Sequence, residues 1–261
     1  MSSTEIEEPL LALFQEDLVP VRDDVLHFAD VSYASLKAGV LDVQFDGVPI
    51  AIEHDGGAAG CGGKLWPAGE LLSQYLALAR TDTSSIAHDG FWKRCESGAG
   101  RPLRVVELGT GTGLVGLVAG KAYKAQAPEG RDLEIYATDQ ACLVGLVDRN
   151  VKLNELEGIV HAAELNWGEP VPAEMQRPDV VLAADCVYLE AAFPLLEQTL
   201  LELTDTDTLV LMAYKKRRKA DSRFFKAIRK HFTVVEIRDY AGAEGYQRQG
   251  VFLFQLIRRK M

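Results

Sequence analysis

Leu103-Arg104-Val105-Val106-Glu107-Leu108-Gly109-Thr110-Gly111-Thr112-Gly113-Leu114-Val115-Gly116 reads as a short apolar strand with an acid near its end. Three glycines at alternate positions and the start of an apolar helix follow. A glycine-rich turn between strand and helix lets backbone approach a ligand, because no Cβ intervenes and φ > 0 is allowed. It also places backbone N–H groups at the helix N-terminus, next to that ligand. Gly111-x-Gly113-x-x-Gly116 matches the dinucleotide fingerprint, a weak signal by itself. Glu107 argues for a different ligand. A carboxylate beside the glycines repels a pyrophosphate and attracts a compound that carries an ammonium and a sulfonium. A plain βα turn without a ligand is the remaining alternative, and three alternating glycines fit it poorly.

From Leu103 onward the pattern alternates strand and helix. Strands are expected at 103–108, 133–138, 159–164, 179–184, 208–214, 232–239 and 250–258, and helices at 113–125, 141–153, 190–203 and 221–231. Such alternation predicts an α/β fold with a mostly parallel sheet and helices on both faces. The last two strands fit a reversed hairpin at the sheet's edge. Upstream, two alternating runs around Asp46-Gly47 predict an N-terminal β-hairpin over 40–52. Gly56 to Gly63 reads as a flexible glycine-rich loop, Pro67 opens an apolar-faced helix, and 81–102 reads as a polar surface excursion. Residues 1–35 are expected to be a mobile segment, and 36–261 a single domain.

The chain has 261 residues, 48% of them hydrophobic and 25% charged, an ordinary globular composition. Its net charge of −10 argues against direct nucleic-acid binding, which draws on cationic contacts. No apolar run is long enough to span a membrane, and the acidic N-terminus resembles neither a signal nor a transit peptide. The four cysteines are scattered, with no C-x-x-C pair and no histidine at metal spacing, which points to reduced cytoplasmic thiols and no metal site. The five histidines are dispersed and none is assigned a catalytic role. Lys215 to Lys219 is a basic run that reads as a solvated loop in an acidic chain, with an acidic partner patch or nucleic acid as the alternative.

Ligands of open α/β sheets sit at the carboxyl ends of the strands, where strand order reverses. That rule brings Glu107 to Gly113, Asp139, the loop after the third strand and Asp185 to one crevice. Asp139 ends the second strand, where a carboxylate accepts from ribose hydroxyls; capping the following helix is its alternative. Asn166 and Trp167 can meet an adenine ring, although a tryptophan is more often core. Trp66 carries a similar ambiguity as a hydrophobic staple. Asp185 and Tyr188 follow the fourth strand, where a carboxylate and a phenol can order an incoming amine; a turn role is the alternative for Asp185.

Glu107-x-Gly109-x-Gly111-x-Gly113 resembles motif I of the class I S-adenosylmethionine-dependent methyltransferases. Trp66-Pro67-Ala68-Gly69, Thr138-Asp139, Asn166-Trp167-Gly168 and Ala184-Asp185-Cys186-Val187-Tyr188 complete an ordered set. That set, over roughly residues 40–258, is similar to the family-16 seven-β-strand protein-lysine methyltransferases. The resemblance implies a class I, Rossmann-like methyltransferase fold with a seven-stranded sheet. It implies S-adenosyl-L-methionine as cofactor, with Trp66, Glu107, Gly109, Thr110, Gly111, Gly113, Asp139, Asn166, Trp167 and Ala184 on its side. Asp185 and Tyr188 then face the acceptor lysine. The chain most resembles fungal members of the group, which implies translation elongation factor 1A as protein substrate and a cytoplasmic, monomeric enzyme. Relatives often carry Asp where Asn166 stands, so this chain keeps a hydrogen-bonding group there without the charge.

Overall fold

The computed structural model describes residues 37–58, 60–96, 100–126 and 132–260, with backbone only at Gly60 and Cys61. The expectation for residues 1–35 falls outside them. Strands β1 (Gly39–Phe45) and β2 (Val48–His54) form an antiparallel hairpin, with Phe45 opposite Val48. Asp46 and Gly47 both take positive φ, 42° and 79°, the backbone that a two-residue hairpin turn demands.

The main sheet contains β3 (Leu103–Leu108), β4 (Leu133–Asp139), β5 (Val160–Glu164), β6 (Val180–Ala184), β7 (Leu209–Lys215), β8 (Phe232–Ile237) and β9 (Val251–Arg258). Its seven strands run in the order β5-β4-β3-β6-β7-β9-β8, and β9 alone runs opposite to the other six. The expected reversed hairpin exists, but its reversed strand lies inside the sheet and β8 takes the edge. Burial explains the order: Val251, Leu253 and Leu256 are at most 1% exposed, whereas Thr233 and Val235 of β8 face solvent.

Helices α1 (Pro67–Ala79), α2 (Leu114–Gln126), α3 (Ala141–Leu153), α4 (Phe193–Leu203), α5 (Asp221–Ile228) and α6 (Ala243–Arg248) cover the sheet. Alternate strand residues feed two cores, because successive side chains point to opposite faces. Leu103, Val105, Val180, Leu182 and Leu211 pack with Leu71 of α1, Leu117 of α2 and Val147 of α3. Val106, Leu108, Val181, Ala183 and Met212 pack with Leu196 of α4 and Phe224 of α5. The hairpin joins the first core through Ile50 and Ile52. Two asparagines of the α3 end fasten it by imitating a strand. Asn150 Oδ1 accepts from Glu53 N at 2.6 Å and its Nδ2 donates to Glu53 O, while Asn154 does the same for Ala51.

Residues 81–102 differ from the expected surface excursion. A π-turn over His88–Trp92 runs into a short α-helical piece, Lys93–Glu96. Ala87, Phe91, Trp92 and Cys95 of this segment are at most 1% exposed. Arg94 donates to Asp179 O and Asp207 O, tying the segment to the N-terminal ends of β6 and β7. Those strand ends lie opposite the expected crevice, so this segment supports the fold and leaves the chemistry alone. No helix among the described residues is long and apolar enough to cross a membrane.

Candidate functional site

Strand order reverses at β3, which has β4 on one side and β6, reached by crossover, on the other. The carboxyl ends of β3, β4 and β6 therefore bring Glu107 to Gly113, Asp139 and Asp185 together. The buried Cys186 thiol reports their convergence: burial pushes it well up, and the charges of Asp185, Asp139 and Glu107 add to the effect.

Gly109, Gly111 and Gly113 have φ of 59°, 60° and 89°, so all three sit in backbone that favours glycine. A Cβ on Gly109 would lie 2.9 Å from Trp167 Cζ2, and one on Gly111 would lie 2.7 Å from Gly62 O. Glycine is thus needed for space as well as for φ. The Gly62 contact also gives the glycine-rich stretch a task. Its 3-10 turn, Gly60–Gly63, lies directly on the β3–α2 loop, and Asp55 N donates to Gly63 O to hold it there.

The amides of this loop are already engaged. Thr110 N donates to Thr138 O, Gly111 N to Asp139 Oδ2 at 2.8 Å, Gly113 N to Thr110 O, and Gly116 N to Glu107 Oε2 at 2.9 Å. A pyrophosphate cradle needs such N–H groups turned to the ligand. Here two of them are covered by carboxylates. Asp139 also accepts from Gln140 N through Oδ1, and α3 has Gln140 as its cap residue, so Asp139 braces the loop and is not the side-chain cap of that helix.

Glu107 is buried and Asp139 half-buried, and the charged forms of both are disfavoured. Burial pushes Glu107 up to about 8, with the Gly116 amide opposing and Asp139 adding to the rise. The Thr110 hydroxyl lies near enough to oppose it too, yet Thr110 Oγ1 is buried and makes no well-shaped hydrogen bond among the described residues. Burial also raises Asp139, against the pull of the Gly111 and Gln140 amides. Acids whose charged forms are disfavoured fit a cationic ligand, which favours their charge, and misfit an anionic one. The orphaned hydroxyl and the Cβ-free loop add a polar contact and an approach path. The residues present therefore fit S-adenosylmethionine.

Ionisation and binding are then linked. At pH 7 Glu107 is mostly protonated; a bound cation favours its carboxylate, so binding releases protons and tightens as pH rises through about 8. The apo fold behaves oppositely, losing stability between the ordinary carboxylate range and about 8, because there the acid ionises in the unfolded chain while burial keeps it protonated in the fold. Calorimetry with S-adenosylmethionine in buffers of different ionisation heat is expected to show this release and Glu107→Gln to diminish it. Equal proton release in the two proteins would contradict the linkage.

The other predicted residues occupy distinct places. Trp66 is extended (φ −129°, ψ 147°) and directly precedes α1, with Pro67 in the helix's first turn. Trp167 lies over Gly109, but Asn166 is turned aside, its Nδ2 donating to the Glu164 and Glu169 carboxylates. Ala184 ends β6 opposite Ala213, and Tyr188 is half-buried in the loop that follows. Asp185 has φ of 61°, left-handed backbone that aspartate tolerates better than most non-glycine residues. Arg217 is the residue the sequence reading missed. It lies in the basic run taken for a solvated loop, yet its Nη1 and Nη2 donate to Asp185 Oδ1 and Oδ2, each at 2.6 Å. The structure corrects that reading for Arg217, since burial beside a carboxylate outweighs the charge pattern of its neighbours. No local signal separates it from Lys216 or Arg218.

A family model described as lysine methyltransferase matches residues 44–231. Protein-lysine N-methyltransferase EFM6 of Saccharomyces cerevisiae is 45% identical over 235 residues, which cover 85% of this chain and 92% of that protein. Protein N-lysine methyltransferase METTL21A of Danio rerio is 33% identical, covering 72% of this chain and 76% of that one. Among solved structures, the T. Thermophilus 16S rRNA methyltransferase RsmC, in complex with AdoMet and guanosine, superposes with a TM-score of 0.53 at 14% identity. It covers 86% of this chain and 51% of RsmC, a likeness of fold.

Proposed function

The chain belongs to the lysine methyltransferase family, and from that premise we propose that it transfers a methyl group from S-adenosylmethionine to a lysine of translation elongation factor 1A. It is a protein-lysine N-methyltransferase, and the methyl donor, when bound, supplies an electrophilic sulfonium methyl. The observation that carries the donor assignment is the occupied loop: Asp139 and Glu107 hold the amides a pyrophosphate would need and leave acids for a cation.

Gly109, Thr110, Gly111 and Gly113 let the donor approach, and Glu107 and Asp139 face its charge and ribose. Trp167 stands on the adenine side, with Trp66 and Ala184 flanking, and Asn166 joins it by leaving its Glu164 and Glu169 contacts. Asp185 and Tyr188 order the acceptor amine. The amine must arrive neutral and in line, because an ammonium has no lone pair to give, so orientation supplies much of the rate. The substrate assignment rests on the ordered motifs and their resemblance to fungal members of the group. A cytoplasmic monomer acting on a protein, away from membranes and nucleic acids, is the matching setting.

The test is incubation with labelled methyl donor and a lysate from cells lacking the enzyme, followed by mapping of the labelled residue. Label on a lysine of elongation factor 1A supports the assignment. Label on RNA, or on a different protein alone, overturns it, and heat of binding from nicotinamide nucleotides alone would overturn the donor.

A further inference from the structure

We propose that Arg217 is a positioning residue of the acceptor site: its guanidinium clamps the Asp185 carboxylate and covers the Trp66 ring, so one cation sets both groups. The inference rests on the reading of Asp185 as an acceptor-side residue, and its test includes an arm independent of that reading.

The geometry is a fork on a fork. Both Arg217 nitrogens meet Asp185 at 2.6 Å, in the paired arrangement that fixes a carboxylate's plane as well as its place. Arg217 Cζ lies 5.3 Å from the centroid of the Trp66 ring, within cation–π range. The side chains are 19% and 6% exposed for Arg217 and Asp185, so solvent screens the pair little. Trp66 and Asp185 are 119 positions apart in the chain, and Arg217 touches both.

The loop carrying Arg217 is itself held. Asp221 Oδ2 accepts from Tyr214 Oη at 2.8 Å, Arg218 N at 3.0 Å and Arg217 N at 3.2 Å. Lys216 N donates to Gly250 O, and Lys215 N approaches Asp185 Oδ1 at 3.4 Å. The loop between β7 and α5 is therefore a bracket, which suits a group meant to keep another in place.

A consequence follows for the incoming amine. An unpaired carboxylate would retain lysine as ammonium; a carboxylate carrying a guanidinium retains it less. The neighbouring Lys215 shows the field in action, its ammonium pushed down first by burial and then by the Arg217 charge, with Asp185 opposing. The other titratable groups around the pair are Tyr214 and Asp221 on the bracket, Cys186 beside Asp185, and Glu107 and Asp139 at the ends of β3 and β4.

The first experimental arm compares thermal unfolding of Arg217→Met, Asp185→Asn and the double variant. Each single change strands a buried partner, so the double variant is expected to melt above the sum of the two losses. Additive losses would overturn the clamp. The second arm uses the lysate protein that the wild type labels. Arg217→Met is expected to lose on the order of 10²-fold in kcat/KM and clearly less in S-adenosylmethionine affinity, which it touches only through Trp66. Its pH profile should shift to higher pH on the acid limb, and Arg217→Lys should recover part of the rate, since lysine keeps the charge without the fork. A rate equal to wild type, or a loss with an unmoved pH profile and no lysine rescue, would overturn the proposal. If the wild type labels no lysine, the proposed function fails by itself and the unfolding arm alone decides for or against the clamp.

Discussion

Trp92→Ala is expected to produce the largest loss of stability of any single change outside the site. The indole is 1% exposed, its Nε1 donates to Leu76 O at 2.9 Å, and Phe91 meets it edge-to-face at 4.7 Å. Truncating a buried tryptophan costs about 3–5 kcal/mol, and orphaning the Leu76 carbonyl adds roughly 1 kcal/mol. Against a total of about 5–15 kcal/mol this is a large fraction. A chain of this size should lose about 8–15 °C in melting temperature. S-adenosylmethionine affinity, measured well below that melting point, should change little, because the segment packs at the opposite ends of the strands. A melting temperature within about 3 °C of wild type would show that 81–102 is the surface excursion its composition suggests.

That segment shows where the sequence could be read and where it could not. Strand 180–184 is apolar along its whole length and 103–108 is apolar apart from Arg104 and Glu107, because both sheet faces are covered, so their buried, parallel character is visible in composition. The order of glycines, acids and turns then places the crevice, since a crossover fold has few options for where ligands sit. In 81–102 the polar residues outnumber the apolar ones and mask Ala87, Phe91 and Cys95, which recur every fourth position on one helical face. The period was legible and the average hid it. The short α6 was missed for a related reason: it hangs on Gly242 at φ 87° and the buried Tyr246, with no long amphipathic pattern. Arg217 is a different case. Its role depends on Asp185, 32 positions away, and among five consecutive basic residues nothing local marks Arg217 as the one that pairs with it.

Asp139→Ala is expected to weaken S-adenosylmethionine binding by about two to three orders of magnitude, the largest effect on affinity. The carboxylate accepts from Gly111 N and Gln140 N, each at 2.8 Å, so alanine leaves both amides without their partner and removes the acceptor proposed for the ribose. Hydrogen bonds to a charged group contribute about 1.5–3 kcal/mol each, and two lost toward the ligand account for the predicted range. The loop adds to the loss. Gly111 holds φ of 60° under Gly62, and without Asp139 nothing on β4 fixes that amide, so the approach surface loses its preorganisation. Asp139→Asn separates the two contributions. Its Oδ1 can still accept from one amide while the charge is gone, so it should fall between wild type and alanine. Calorimetric titration at one fixed pH, repeated in two buffers so that the heat of proton release from Glu107 is removed, gives the reading. Affinity within about threefold of wild type for Asp139→Ala would mean that the donor binds away from the end of β4. An asparagine variant as weak as alanine would assign the effect to charge alone and leave the brace to Gly111 without a part in binding.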